Sequence, residues 1–245
     1  MGRVVTSNER VGRPGSAAAG AWVDLAIVLA LGALLMGFNT SEAAGGDLVA
    51  RLIVPGRMLL ICLVATVLLA RRGETWGAVG AAWPSSIPRT ALLVVGGYLA
   101  VGAVAAAVTA LVFPALGIAS KAAGALPGLK GDPAEYAYWL AVSWSSAALG
   151  EELLFRGFIA ARLRRALGGA AWAGLAAVVG QAALFGLAHA YQGAGGALLA
   201  GGAGLVLGGV WLAGRRNLAA CMILHALIDT ISLTAVFLGA VPGAA

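Results

Sequence analysis

Residues 58–70 read Met-Leu-Leu-Ile-Cys-Leu-Val-Ala-Thr-Val-Leu-Leu-Ala and stop at Arg71-Arg72. Upstream the apolar character runs back to Leu52, with Arg57 the one charged side chain on the way. A helix rises 1.5 Å per residue, so a stretch of this length crosses about 30 Å of hydrocarbon. Working outward, the same pattern recurs near residues 20–38, 90–113, 137–160, 170–190, 194–213 and 217–240. Together with 52–70 these predict seven spans. The composition agrees: 61% of residues are hydrophobic and 11% charged, against about 25% charged in a soluble domain. A water-soluble fold of this size cannot enclose so much apolar surface, whereas lipid solvates it and a helix satisfies its own backbone. The fold class expected is all-α, a polytopic transmembrane helix bundle.

The basic residues fix its orientation. Arg3, Arg10 and Arg13 precede the first span, Arg71, Arg72 and Arg89 follow the second, Arg162, Arg164 and Arg165 the fourth, and Arg215 and Arg216 the sixth. The alternate loops carry Arg51, Lys121 and Lys130, diluted by Glu42, Asp47, Asp132 and Glu135. The positive-inside bias then places the N-terminus in the cytoplasm and the C-terminus outside. Residues 1–19 read as a disordered cytoplasmic tail. Residues 20–245 read as a single transmembrane helical domain with its chemistry in 137–235. The composition points to a prokaryotic cytoplasmic (inner) membrane. The sequence pI of about 10.0 does not indicate nucleic acid, because the basic residues form short clusters between apolar runs and no continuous basic face. Cys62 and Cys221 lie within apolar runs and read as small buried residues, not as a disulfide framework. No internal repeat suggests a paired transporter.

Charge at membrane depth is costly. Asp24 and Arg57 lie near span ends, where they can pair or snorkel. The remaining six candidates are Glu151, Glu152, Arg156, His189, His225 and Asp229, and they include both histidines of the chain. Four apart on a helix, Glu152 and Arg156 can pair. Glu151 points about 100° away in an α-helix and is left without that partner, as suits a carboxylate that takes a proton from water. Phe185 and His189 share a face, so the ring can set the imidazole. His225 and Asp229 also stack, so the carboxylate can hold one tautomer, or both side chains can bind one ligand or ion. Ser143, Ser145 and Ser146 lie upstream, where membrane serines usually bond back to their own helix. Counting residues puts Glu151 near mid-membrane and His189 near the external end of its span. Assembly therefore requires the fifth span to start later, tilt or run past residue 190.

Glu151-Glu152-x-x-x-Arg156, Phe185-x-x-x-His189 and His225-x-x-x-Asp229, in this order and in membrane helices, resemble the CAAX protease and bacteriocin-processing (CPBP, Abi) family of intramembrane endopeptidases. The likeness covers about residues 137–235. It implies hydrolysis of a peptide bond in a membrane-associated peptide or protein. It implies Glu151 as general base on water, His189 as its assistant, His225 and Asp229 as the oxyanion-stabilising pair, and Glu152 and Arg156 as supports. Prenyl-protein members carry Asn where this chain has Asp229, and other members carry Asn or Asp. An ionised Asp cannot donate to an oxyanion, so Asp229 either orients His225 or is protonated. The resemblance leaves open a metal-dependent variant, with a divalent ion such as zinc held by Glu151, His189 and His225. Prenylated tails, bacteriocin-like peptides and sorting signals are all candidate substrates, and a prokaryotic membrane favours the last two. Buried Glu, His and Asp also build proton relays, so a proton-coupled transporter is the alternative, together with a non-catalytic immunity or assembly factor.

Overall fold

The computed structural model describes residues 14–36, 48–118 and 128–240. Its elements are α1 (Pro14–Met36), α2 (Leu48–Arg71), α3 (Ile87–Ala107), α4 (Phe113–Ala115), α5 (Pro133–Val142), α6 (Ala160–Ala166), α7 (Ala171–Ala188), α8 (Gly193–Ala213) and α9 (Ala219–Phe237). A π-helical turn, Val108–Val112, joins α3 to α4, and a long π-helix, Ser143–Ile159, joins α5 to α6. Among the described residues there is no strand. Six helices are long and apolar enough to cross a membrane. The composite of α5, the long π-helix and α6 runs from Pro133 to Ala166 and supplies the seventh, more charged, span. The seven expected spans are thus present with ends displaced by a few residues. Helix α1 starts at Pro14, so residues 14–19, expected in a disordered tail, are helical. The rest of that tail, with Arg3, Arg10 and Arg13, lies outside the described residues. So do Glu42, Asp47 and Lys121 of the external loops.

On α2, Leu59, Leu63 and Val67 are exposed while Ile61, Ala65, Leu68 and Leu69 are buried. The outward stripe is as apolar as the inward one, as lipid permits and water does not. The buried residues join two cores. Ile61 and Leu69 meet Leu154, Phe155, Phe158 and Phe185 in one. Val178, Leu207, Trp211 and Leu224 lie in the other. Close backbone approach sets α7 against α8: a Cβ on Gly186 would lie 2.7 Å from the Ala197 carbonyl oxygen. Helix α5 starts where it does because Asp132 caps it, accepting from the backbone of Ala134 and Glu135 at 2.8 and 3.1 Å, with Pro133 next in line.

Two features place the functional groups. First, Leu218, Ala220 and Cys221 are buried, so α9 begins inside the bundle. Its leading loop is pinned by Leu218 N–H to the Gly80 carbonyl (2.9 Å) and by the Asn217 amide to the Ala82 carbonyl (3.0 Å). Arg215 and Arg216 adopt left-handed backbone angles there, a strained turn that these cross-loop bonds hold. Second, charges on the cytoplasmic side tie α1, α2 and α6 together. Asp24 accepts from Arg72 (2.9 and 3.0 Å) and Arg162 (2.9 Å), and Glu74 accepts from Arg162 (2.7 Å) and Arg165. Asp24 therefore pairs, and it is buried.

Candidate active site

The long π-helix carries the acidic pair. Its hydrogen bonds run five residues back, as from Ala160 N–H to the Phe155 carbonyl, where the sequence reading assumed α geometry. In such a wide helix, residues four and five apart lie on one face. Glu151, Glu152, Phe155 and Arg156 are therefore brought to the same side. π-Helical segments are rare and concentrate at functional sites.

Glu152 and Arg156 pair as expected, with Nη1 donating to Oε1 at 2.8 Å and both side chains fully buried. The same Glu152 oxygen accepts from His225 Nδ1 at 2.7 Å. Glu152 is thus the carboxylate bonded to His225, a place for which Asp229 was one of the options its spacing left open. The Asp229 Oδ2 atom is 3.7 Å from His225 Nε2 and instead accepts from Ser143 Oγ at 2.7 Å. Ser145 does bond back to its own helix, at the Ala141 carbonyl. Ser143 does not, because it sits at the α5–π junction facing α9. The next residue, Trp144, bonds Thr230 across the same interface at 3.0 Å.

Glu151 is set apart. Its Oε2 atom has no hydrogen-bond partner among the described residues and lies 4.0 Å from His225 Nε2. His189 and Arg156 are within electrostatic reach of the same carboxylate. Three further polar atoms of the neighbouring pair are buried and unbonded among the described residues: Glu152 Oε2, Arg156 Nε and Arg156 Nη2. Such atoms call for water or substrate oxygens.

Phe185 packs at the centre. Its ring lies 4.4 Å below the Arg156 guanidinium, 5.0 Å from Phe155, 4.5 Å from His189 and 6.2 Å from His225. Its carbonyl accepts from His189 Nδ1 at 2.8 Å. Helix α7 ends at Ala188 with His189 as its cap. The imidazole turns back over Phe185, as helical side chains lean toward the N-terminus. The mismatch in depth noted from residue counting is thus met by this back-turned ring and by the inward start of α9. Tyr191, which the sequence reading passed over, stacks 6.0 Å from His189.

The structure therefore brings Glu151, Glu152, Arg156, His189, His225 and Asp229 together around Phe185 and His225. It does not arrange Glu151, His189 and His225 as a ligand sphere. Among the described residues no three His, Cys, Asp or Glu side chains are placed to hold a metal ion. His225 Nδ1 and His189 Nδ1 are engaged by Glu152 and the Phe185 carbonyl, so Nε2 is the nitrogen each ring presents to a further partner.

Residues 133–231 match the sequence model of the family described as Type II CAAX prenyl endopeptidase Rce1-like. That range contains every residue of the site and all but the last few residues of the stretch, about 137–235, in which the CPBP resemblance lies. No curated protein and no solved structure matches the chain. The match supports a CAAX-type intramembrane endopeptidase, an integral membrane protein with a membrane-associated substrate.

Proposed function

We propose that this chain, whose residues 133–231 belong to the Rce1-like family, hydrolyses a peptide bond of a membrane-anchored peptide or protein with Glu151 as the base. The observation that supports this reading is the unbonded Glu151 oxygen beside His225 Nε2, within reach of His189. Glu151 takes a proton from a water held against His189, and the water oxygen attacks the scissile carbonyl carbon. The carbonyl oxygen gains the negative charge and lies against His225, which in its doubly protonated form donates from both nitrogens, Nδ1 to Glu152 and Nε2 to the oxyanion. The C–N bond then breaks, and the proton on Glu151 passes to the leaving amine. Arg156 neutralises the buried Glu152 and so lets it orient His225. Asp229 stands beside His225 and accepts from Ser143. The setting proposed is the prokaryotic cytoplasmic membrane, with bacteriocin-like peptides or sorting signals as substrates ahead of prenylated tails.

The test uses purified protein in proteoliposomes with internally quenched peptides, one anchored by a farnesyl group and one by an apolar helix. Wild type is expected to cleave the helix-anchored peptide faster. Glu151→Gln and His225→Ala are each expected to lower kcat/KM by at least ~10²-fold, the usual contribution of a proton-transfer group, while the protein stays inserted and monodisperse. Full cleavage by Glu151→Gln would overturn the assignment.

A further inference from the structure

Asp229 Oδ2 faces two donors. Ser143 Oγ reaches it at 2.7 Å and His225 Nε2 stands 3.7 Å away, beyond hydrogen-bond distance. Ser143 and His225 are buried, whereas the Asp229 side chain is 26% exposed. The junction that carries Ser143 is clamped to α9 by a second bond, Trp144 Nε1 to Thr230 Oγ1 at 3.0 Å, and further out by Tyr136 OH with Thr234 Oγ1 at 2.9 Å. Ser143 is thus held in register with Asp229 by its neighbours.

We infer that Ser143 is a positioning residue of the hydrolytic site: its hydroxyl occupies Asp229 and keeps that carboxylate from capturing His225 Nε2–H, which stays available to the reacting carbonyl oxygen. The inference rests on the endopeptidase reading above. Its physical basis is competition. A carboxylate one turn along α9 from an imidazole is an obvious acceptor for Nε2–H, and a bond between them would be charge-assisted and strong. The imidazole would then be fully occupied, Nδ1 by Glu152 and Nε2 by Asp229, with no donor left for the oxyanion. The Ser143 bond does not exhaust a carboxylate with about four acceptor sites; it acts by geometry, anchoring Oδ2 3.7 Å from Nε2. It also makes Asp229 workable at a position where the resemblance calls for a residue able to donate.

Ser143→Ala is expected to free Asp229 to swing onto His225. The kcat for the helix-anchored peptide should fall about tenfold, the worth of one misplaced hydrogen bond of ~1.4 kcal/mol, with KM unchanged. Ser143→Cys, of similar shape but a weaker donor, should fall between. In Ser143→Ala/Asp229→Asn the neutral amide competes poorly for Nε2–H, and kcat should recover most of the loss. A merely structural Ser143 would lower yield without changing the kcat of folded protein, and Asp229→Asn would not rescue it. The second readout needs no substrate. The chain has two histidines, so ¹⁵N-histidine NMR in proteoliposomes resolves each, with His189→Ala for assignment. The His225 Nε2 resonance should move in Ser143→Ala and return in the double variant. An unmoved resonance overturns the inference whatever the activity. If wild type cleaves neither peptide, the endopeptidase reading fails while the resonance still judges the Ser143–Asp229–His225 arrangement.

Discussion

Glu152 carries more than one burden. A single oxygen accepts from Arg156 and from His225, so the pair that read from spacing as a support is also the orienting element of the site. Removing Arg156 would leave the fully buried Glu152 with His225 as its remaining bonded partner, and breaking a buried pair in this way costs about 3–5 kcal/mol. Arg156→Ala is therefore expected to lose most of its yield in the membrane fraction, whereas Glu151→Gln, which removes no bonded partner, keeps its yield. Quantitative blotting of the two variants side by side separates the roles. The acidic pair, the arginine and both histidines were legible because ionisable groups are rare in an apolar chain and each needs a reason. Ser143 was not, because a membrane serine next to its own carbonyls has a sufficient local explanation. Nor was the Glu152–His225 bond, which joins residues 73 positions apart and has no local signature.

At the scale of elements, hydropathy predicted the number of helices well, because lipid demands long apolar stretches whatever their packing. It was blind to the π-helix, since hydrophobic periodicity in a charged span cannot distinguish five-residue from four-residue bonding. That difference is what brings Glu151 onto the face of Glu152 and Arg156. Close packing of α7 on α8 holds the other half of the site. At Gly186 a Cβ would meet the Ala197 carbonyl at 2.7 Å and the Gly201 Cα at 3.2 Å, and backbone cannot yield as a side chain does. Gly186→Ala is expected to push the helices apart at about 1–3 kcal/mol and to displace His189, three residues on. A lower thermal midpoint in detergent, with a fall in kcat among the molecules that remain folded, would register both effects.

For the whole molecule, the cytoplasmic charges connect the first helix to the rest. Burial pushes the Glu74 carboxyl upward, but hydrogen bonds from Arg162 and Arg165 outweigh it and hold Glu74 below its usual 4.5. A carboxylate depressed in the folded state contributes stability above its unfolded value and loses it as the pH falls through the folded one. Wild type is thus expected to lose thermal stability as the pH is lowered below about 4.5, and Glu74→Gln, less stable at pH 7, to show a flatter profile there. Parallel profiles for the two proteins would discount this pair. Asp24, at the centre of the same cluster, has a consequence for how the protein is made. Its nearer partner, Arg72, lies 48 positions downstream and Arg162 lies 138 downstream. At ordinary elongation rates the ribosome reaches Arg162 on the order of ten seconds after Asp24. During that interval the first hydrophobic segment leaves the translocon with its acid incompletely neutralised. Asp24 then has Arg72 alone to balance it, and the anchoring of the first helix is complete only once the fourth span brings Arg162.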